Sequence, residues 1–322
     1  KTPMKTLVII PSRLSATRLP RKPLLKINGL SMISHVFKKA QDANIGEVIV
    51  AAADKEIVDD VKKNGGEAII TSNSHQTGTD RIYEALVRFD NSKIDLVSNL
   101  FVNLFINTPD NLSNFEAMSL GTAGITAAEC VKKITDKNIS NNLPIIVSGS
   151  TGGVGSVAVS LLSKLGYEVH AITGKPDEVE ILKSIGASEI ISRNEFMKEP
   201  AKALDKGIYG SSVDTVGGDI LAKIISMISN QGVVSCCGNV GGAMFTSSVF
   251  PFILRGVQLS GVDSAESPIE IKKELWNLLS NEWSLDLANQ TRTVNISNVG
   301  PEIDKILQGG QIGRVVIQHG DK

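Results

Sequence analysis

Residues 145–156 read IIVSGSTGGVGS, and they join a short apolar run to an apolar stretch of helical length that extends to residue 165. The glycines at 149, 152 and 155 give the spacing G-x-x-G-x-x-G. Glycine lets the backbone turn tightly and approach a pyrophosphate closely, and the following helix directs its free N–H groups at that phosphate. A strand before the glycines and a helix after them favour a Rossmann-type dinucleotide loop over a glycine-rich turn without a ligand.

The next predicted strand indicates which dinucleotide binds. It ends at Thr173-Gly174-Lys175, about 20 residues beyond the glycines, where NAD enzymes place an acid for the ribose. No acid stands there. Thr173 can donate a hydrogen bond and Lys175 can meet a 2′-phosphate, so the pattern favours NADPH over NADH. The competing interpretation is that Lys175 is a solvated surface lysine.

The same alternation of β-branched runs and amphipathic helices extends through most of the chain, which predicts an α/β fold. It starts at residue 6, lapses near 105 and restarts near 115. We expect two Rossmann-like units in series, with parallel sheets flanked by helices and an incomplete appendage at the carboxy terminus. The expected domains are residues 4–105, 114–284 and 285–322.

Composition excludes several classes of function. Of the 322 residues, 33 are Lys or Arg and 34 are Asp or Glu, so the net charge of -1 gives no reason to expect a nucleic-acid partner. No apolar stretch has the length of a membrane span, and no signal peptide is visible, so we expect a cytoplasmic protein. Three cysteines without CxxC or clustered His predict neither a disulfide framework nor a metal site.

A basic loop follows the first predicted strand. Residues 11–24 read PSRLSATRLPRKPL, with four cations within ten residues. This arrangement could wrap a polyphosphate, although a charge run is more often a solvated surface loop. The placement directly after a strand favours phosphate binding.

Residues 114–322 resemble the zinc-independent quinone oxidoreductase branch of the medium-chain dehydrogenase/reductase superfamily, of the acrylyl-CoA reductase and YhdH type. The motifs that carry this likeness are LGTAG at 120–124, SGSTGGVGSVAV at 148–159, TGK at 173–175, LKSIGA at 182–187, VDTVGG at 213–218, PFILRG at 251–256 and GRVV at 313–316. The resemblance implies NADPH-dependent reduction of an activated carbon–carbon double bond without a metal. It also suggests a homodimer through the sheet edge near residues 254–263. The expected cofactor-binding residues are Gly149, Ser150, Thr151, Gly152, Gly153, Val154, Gly155, Thr173, Gly174, Lys175, Arg193, Val216, Gly217, Cys237 and Gly238.

Residues 4–100 resemble the amino-terminal part of CMP-Kdo synthetase, a sugar nucleotidyltransferase. The likeness rests on IIPSRLSATRLPRKPLLKING at 9–29 and SHQTGTDRI at 74–82. It implies possible CTP binding, with phosphate and nucleotide contacts from Arg13, Ser15, Arg18, Lys22, Gln76, Thr77 and Gly78. The family's magnesium-binding Gln-Gly-Asp is absent, because Asn99-Leu100 leads directly into Phe101. We therefore expect no cytidylyl transfer.

The chain thus joins the front of one enzyme to the back of another. The reductase family begins with a GroES-like barrel, and the predicted carboxy-terminal strands at 291–296 and 313–318 would pair with that barrel. The favoured function is a zinc-independent, NADPH-dependent oxidoreductase with a small-molecule substrate, although replacement of the barrel makes activity doubtful. The alternatives are a CTP-dependent sugar nucleotidyltransferase and a nucleotide-binding fusion without catalysis. No triad or carboxylate pair identifies catalytic residues, and such reductases need none, because the cofactor supplies the chemistry.

Overall fold

The computed structural model describes residues 6–15, 21–42, 44, 46–75, 78–89, 96–99, 109–137, 142–175, 178–295 and 298–318. The chain divides into two compact units, which we call unit 1 (Lys1–Phe105) and unit 2 (Ile106–Lys322).

Unit 1 is a parallel sheet with helices between successive strands. Its strands are β1 (Thr6–Ser12), β2 (Lys26–Ile27), β3 (Leu30–Ser31), β4 (Glu47–Ala52), β5 (Ala68–Ile70) and β6 (Leu96–Asn99). Its helices are α1 (Met32–Asp42), α2 (Lys55–Lys63) and α3 (Gly78–Arg88). The main sheet has the order β5-β4-β1-β6. The strands β2 and β3, which lie between β1 and α1 in the chain, form a separate antiparallel pair.

Alternating side chains of β1 fill two cores in unit 1. Val8 and Ile10 belong to the cluster that α1 and α2 cover, whereas Leu7 and Ile9 belong to the cluster that α3 covers. Successive strand residues point to opposite faces, so a continuously apolar strand requires helices on both sides of its sheet. The TLVII run therefore forms a central strand, and the basic loop begins where that strand ends.

Unit 2 contains a larger parallel sheet, and its elements continue the numbering. Its strands are β7 (Ile145–Val147), β8 (Val169–Thr173), β9 (Glu189–Ser192), β10 (Ser211–Asp214), β11 (Val233–Cys236), β12 (Gln258–Gly261), β13 (Thr291–Asn295) and β14 (Arg314–Gln318). Its helices are α4 (Asn114–Thr135), α5 (Gly153–Lys164), α6 (Val179–Ser184), α7 (Arg193–Phe196), α8 (Gly218–Ser226), α9 (Phe250–Arg255), α10 (Ile269–Ser280) and α11 (Val299–Leu307). The main sheet has the order β12-β11-β10-β7-β8-β9. The order reverses beside β7, and ligands of open α/β sheets bind at such a switch point.

The core of unit 2 also lies on both faces of its sheet. Ile145 and Val147 of β7 pack with α4, α5 and α10, and Ile146 packs with α8 on the opposite face. The helix α4 is interrupted at Gly121, whose φ of 49° and ψ of -154° are not helical. A serine capping box, Ser113 with Glu116, begins this helix and satisfies its first amide groups.

The predicted α/β class with parallel sheets flanked by helices is confirmed. The structure adds β12, which the sequence pattern had not indicated. The apolar pattern predicts a strand over residues 213–216, whereas β10 ends at Asp214, so Val216 lies in the following loop. The two carboxy-terminal strands, β13 and β14, pair with each other in parallel, from Thr291 opposite Arg314 to Asn295 opposite Gln318. We call residues 289–318 the appendage. Among the described helices, none combines the length and apolarity that crossing a membrane requires.

Candidate functional site

The glycine loop is shaped by close backbone contacts that exclude side chains. Gly149 has a φ of 61°, and a Cβ on it would overlap the Thr215 hydroxyl. A Cβ on Gly155 would overlap the carbonyl oxygen of Gly149. These two glycines therefore allow the loop to fold closely onto the start of α5 and the loop after β10.

The loop leads into a helix whose amino terminus has no side-chain cap. Gly152 is the N-cap of α5 with φ -77° and ψ 171°, and no side chain caps the helix. Gly153, Val154 and Gly155 form the first turn, and the amide groups of a first turn have no acceptor within the helix. Ser150 N donates to Ile172 O at 3.1 Å, which holds the loop between β7 and β8. An uncapped helix amino terminus of this kind is chemically suited to an anionic group.

The buried carboxylate of Asp214 holds the start of the glycine loop through hydrogen bonds. Ser148 Oγ donates to Asp214 Oδ1 at 2.6 Å, and Gly217 N donates to Asp214 Oδ2 at 2.8 Å. Burial raises the pKa of Asp214, and the hydrogen bonds from Ser148 and Gly217 oppose that rise. Asp214 therefore ties the glycine loop to the loop after β10 and does not face a ligand.

Two cations, Lys175 and Arg193, lie near the end of β8. Thr173 Oγ1 accepts a 3.0 Å hydrogen bond from Lys175 N, and the Lys175 ammonium donates to the carbonyl oxygen of Gln311. The guanidinium carbon of Arg193 would lie 3.1 Å from a Cβ on Gly174, so glycine there admits the arginine. Burial lowers the pKa of Lys175, while the Glu178 carboxylate opposes that shift. Lys175 and Arg193 therefore place positive charge near the end of β8.

The remaining expected contacts lie at the ends of β10 and β11. Cys237 N donates to Asp214 O at 3.0 Å, and a Cβ on Gly238 would overlap the backbone of Thr215. Gly217 has a φ of 75°. A hydrogen bond with Cys130 lowers the pKa of Cys237 and raises that of buried Cys130. Val216, Gly217, Cys237 and Gly238 therefore form one wall beside the glycine loop.

Two residues of the appendage reach this site without having been assigned a role from the sequence. Arg314 Nε donates to Ser119 O at 2.9 Å, and its terminal nitrogens would lie 2.8 Å from a Cβ on Gly153 and 2.9 Å from one on Gly121. Burial lowers the pKa of Arg314. Gln311 contacts Lys175 as described above. The GRVV motif was the available signal for Arg314, and nothing in the sequence pattern indicated Gln311.

In unit 1, four of the expected phosphate residues are described. Arg13 and Ser15 are exposed in the loop after β1, Lys22 begins a short 3-10 helix, and Gly78 begins α3. Arg18, Gln76 and Thr77 lie outside the described residues.

A buried arginine stands near this loop and was missed by the sequence interpretation. Arg81 is 3% exposed, and it donates to Thr71 Oγ1 at 2.5 Å and to Ser72 O at 3.0 Å. Burial and the neighbouring Arg13 lower the pKa of Arg81, while Asp54 and Glu84 oppose this shift. The hydroxyl of Ser12, at the end of β1, is buried and has no hydrogen-bond partner among the residues that the structure describes.

Both halves of the chain match known families. Residues 7–113 match the Cytidylyltransferase family, and residues 153–281 match the Zinc-binding dehydrogenase family. Within the described residues, no group of three or more His, Cys, Asp or Glu side chains could hold a metal ion, so the residues present do not fit the zinc of that family name.

Individual relatives agree with this division. The acrylyl-CoA reductase AcuI of Ruegeria pomeroyi is 35% identical over 68% of this chain and 67% of its own length. A 3-deoxy-manno-octulosonate cytidylyltransferase of Bradyrhizobium is 48% identical over 34% of this chain and 46% of its own length. The chain spans 64–67% of the length of the first three curated oxidoreductases that it matches.

Solved structures match the carboxy-terminal part. The yhdH oxidoreductase of Salmonella enterica, in complex with NADP, has a TM-score of 0.64 and 35% identity over 69% of each chain. Bacillus subtilis yhfP, with NAD bound, has a TM-score of 0.64 and 40% identity over 66% of each chain. The chain therefore belongs to the quinone oxidoreductase and acrylyl-CoA reductase family of medium-chain dehydrogenases, and it carries a cytidylyltransferase-like segment at its amino-terminal side.

Proposed function

We propose that unit 2 binds NADPH and that the chain is a zinc-independent, NADPH-dependent oxidoreductase. The observation that carries this proposal is the pairing of an uncapped α5 amino terminus with two cations, Lys175 and Arg193, at the end of the neighbouring strand. The first feature suits a pyrophosphate and the second suits a 2′-phosphate.

Preference for the phosphorylated dinucleotide follows from the charges at the end of β8. Thr173 stands where an acid would bind the two ribose hydroxyls of NADH, and it carries no carboxylate that could accept from both. Lys175 and Arg193 would add charge-assisted hydrogen bonds that NADH cannot use. Relatives with NADP and with NAD support dinucleotide binding in general, so the preference rests on these residues.

Arg314 adds to the same site from the appendage. Its guanidinium lies against Gly153, beside the first turn of α5. We assign it to the pyrophosphate, because a buried arginine without a carboxylate partner among the described residues is stabilised by an anion at that position.

The nicotinamide supplies a hydride when the cofactor is bound, and the protein's part is to place the ring. We assign this placement to the wall of Val216, Gly217, Cys237 and Gly238, which Asp214 fixes to the glycine loop. The substrate would be a small molecule with an activated carbon–carbon double bond, as the names of the relatives suggest.

Turnover is tested by following NADPH absorbance with acrylyl-CoA or a benzoquinone as acceptor. We expect acceptor-dependent loss of NADPH that Lys175→Ala weakens through a higher KM for NADPH. Cofactor binding without any acceptor-dependent loss would reduce the proposal to a dinucleotide-binding protein. The chain spans about two thirds of its relatives, so the comparison should include the intact enzyme AcuI.

Unit 1 favours a second, separate activity, namely the binding of a nucleotide phosphate. The unpartnered Ser12 hydroxyl and the neighbouring Arg13 and Arg81 would present donors and positive charge at the end of β1. We expect CTP binding without cytidylyl transfer, because the magnesium carboxylate of that family is absent. Calorimetric titration with CTP, comparing the Kd of the wild-type protein with that of Arg13→Ala, tests this proposal. Equal Kd values for both proteins would contradict it.

We also propose a homodimer through the edge of the main sheet of unit 2. The strand β12 lies at that edge, and Ile253, Leu254 and Leu259 beside it are 68%, 62% and 37% exposed. An apolar sheet edge favours pairing with a second copy.

A further inference from the structure

The appendage is fastened to the candidate cofactor site at three points within four residues. Gly313 N donates to Thr151 O at 3.0 Å, Arg314 Nε donates to Ser119 O, and Gln311 O accepts from the Lys175 ammonium. We call Gln311–Arg314 the crossing segment. Thr151 belongs to the glycine loop and Lys175 to the end of β8, so the crossing segment contacts both parts of the phosphate site.

The contact with Gln311 restricts the conformations of the Lys175 side chain before any ligand binds. A free lysine side chain loses rotamer entropy when it binds a phosphate. Here the ammonium already has a fixed partner, and its backbone amide is held by Thr173 Oγ1 at 3.0 Å. An ammonium has three donors, so one bond to a carbonyl leaves two for a phosphate. Because the carbonyl is neutral, the positive charge of Lys175 stays available.

We propose that the crossing segment is the positioning element for cofactor specificity: the Gln311 carbonyl preorganises Lys175 for a 2′-phosphate. This inference rests on the proposed NADPH function and adds a cause for the preference over NADH. Residues far from the glycine loop in sequence thereby determine the discrimination between the two cofactors.

Gly313 offers a direct way to displace the crossing segment. Its φ is 57°, and a Cβ there would overlap the carbonyl oxygen of Gln290. Gln290 is anchored, since its Nε2 donates to Ser160 Oγ on α5 at 2.9 Å. An alanine at 313 must therefore shift the crossing segment and, with it, the Gln311 carbonyl that holds Lys175. Any shift of Arg314 would affect both dinucleotides equally, because both carry a pyrophosphate.

The test compares the ratio of the Kd for NADH to the Kd for NADPH between variants of the full chain. We expect Gly313→Ala to lower this ratio by about 2- to 10-fold, the usual gain from fixing one flexible side chain before binding. Gln311→Ala should leave the ratio unchanged, because it keeps the backbone carbonyl. Gly310→Ala is the matched glycine control, since its φ is not positive and its Cβ would have an ordinary contact at 3.5 Å.

Two further variants keep the test decisive. If Gly313→Ala does not fold, Gln290→Leu removes the bond to Ser160 with less strain and should lower the ratio in the same direction. In a Lys175→Ala background, Gly313→Ala should no longer change the ratio of the two Kd values. If Gly313→Ala acted by loosening the appendage in general, it would still change that ratio. Suppose that Lys175→Ala lowers the ratio but folded Gly313→Ala leaves it unchanged. This result overturns the role of the crossing segment and leaves the proposed NADPH preference standing. Wild-type protein that binds NADPH no better than NADH overturns the proposed preference as well.

Discussion

Gly155 and Gly149 meet so closely that the α-carbon of Gly155 faces the carbonyl oxygen of Gly149 with no room for a methyl group. This relationship folds the glycine loop onto the start of α5, where no side chain caps the helix.

Gly155→Ala is therefore expected to destabilise unit 2. Overpacking of this kind costs about 1–3 kcal/mol, and backbone movement should also weaken NADPH binding. Urea unfolding followed by tryptophan fluorescence measures the change, because both tryptophans, Trp276 and Trp283, belong to unit 2. The control is Gly300→Ala, where a Cβ would meet nothing within 4 Å. Equal stability of the two variants would show that the loop is looser than described.

The sequence predicted the glycine loop and the end of β8 because both are local patterns. A strand, three glycines and a helix stand within about 20 residues, and Lys175 follows the next strand directly. Sequence periodicity could not predict the approach of Gln311 to Lys175 or of Arg314 to Gly153, which depends on how the chain returns after more than 130 residues. The edge strand β12 was missed because its sequence, QLSG, is short and only partly apolar.

A buried tyrosine predicts how unit 2 responds to alkaline pH. Tyr209 is 4% exposed, and burial raises its pKa to about 12 from an ordinary value of about 10. The folded state therefore keeps the phenol neutral, and its contribution to stability is present below pH 10 and lost as the pH rises through 12.

Phenolate absorbance checks this prediction. Tyr209→Phe should remove the phenolate step near pH 12, whereas Tyr83→Phe, which changes a tyrosine that is 69% exposed, should leave that step in place. If Tyr209→Phe removed the earliest step, the packing of Tyr209 against His170, with ring centroids 5.6 Å apart, would be wrong.

The sheet edge of unit 2 gives a prediction about oligomeric state. Leu254→Lys places a charge in the apolar surface beside β12 and should convert a dimer into a monomer, measured by light scattering during size-exclusion chromatography. Leu307→Lys is the control, since Leu307 is a 79% exposed leucine on α11, which is not an element of the main sheet or of α9. A protein that remains dimeric in Leu254→Lys would place its interface elsewhere.

The central claim is that unit 2 recognises the 2′-phosphate of NADPH through the end of β8. Titration with NADPH and NADH, followed by reduced-nicotinamide fluorescence and calorimetry, tests it most directly. We predict tighter binding of NADPH, with Lys175→Ala losing about 10-fold or more of that affinity while NADH binding changes little. Lys183→Ala is the matched control, because Lys183 is an exposed lysine on α6 that pairs with Glu180. Equal affinities for both dinucleotides, or equal losses in both lysine variants, would contradict the account.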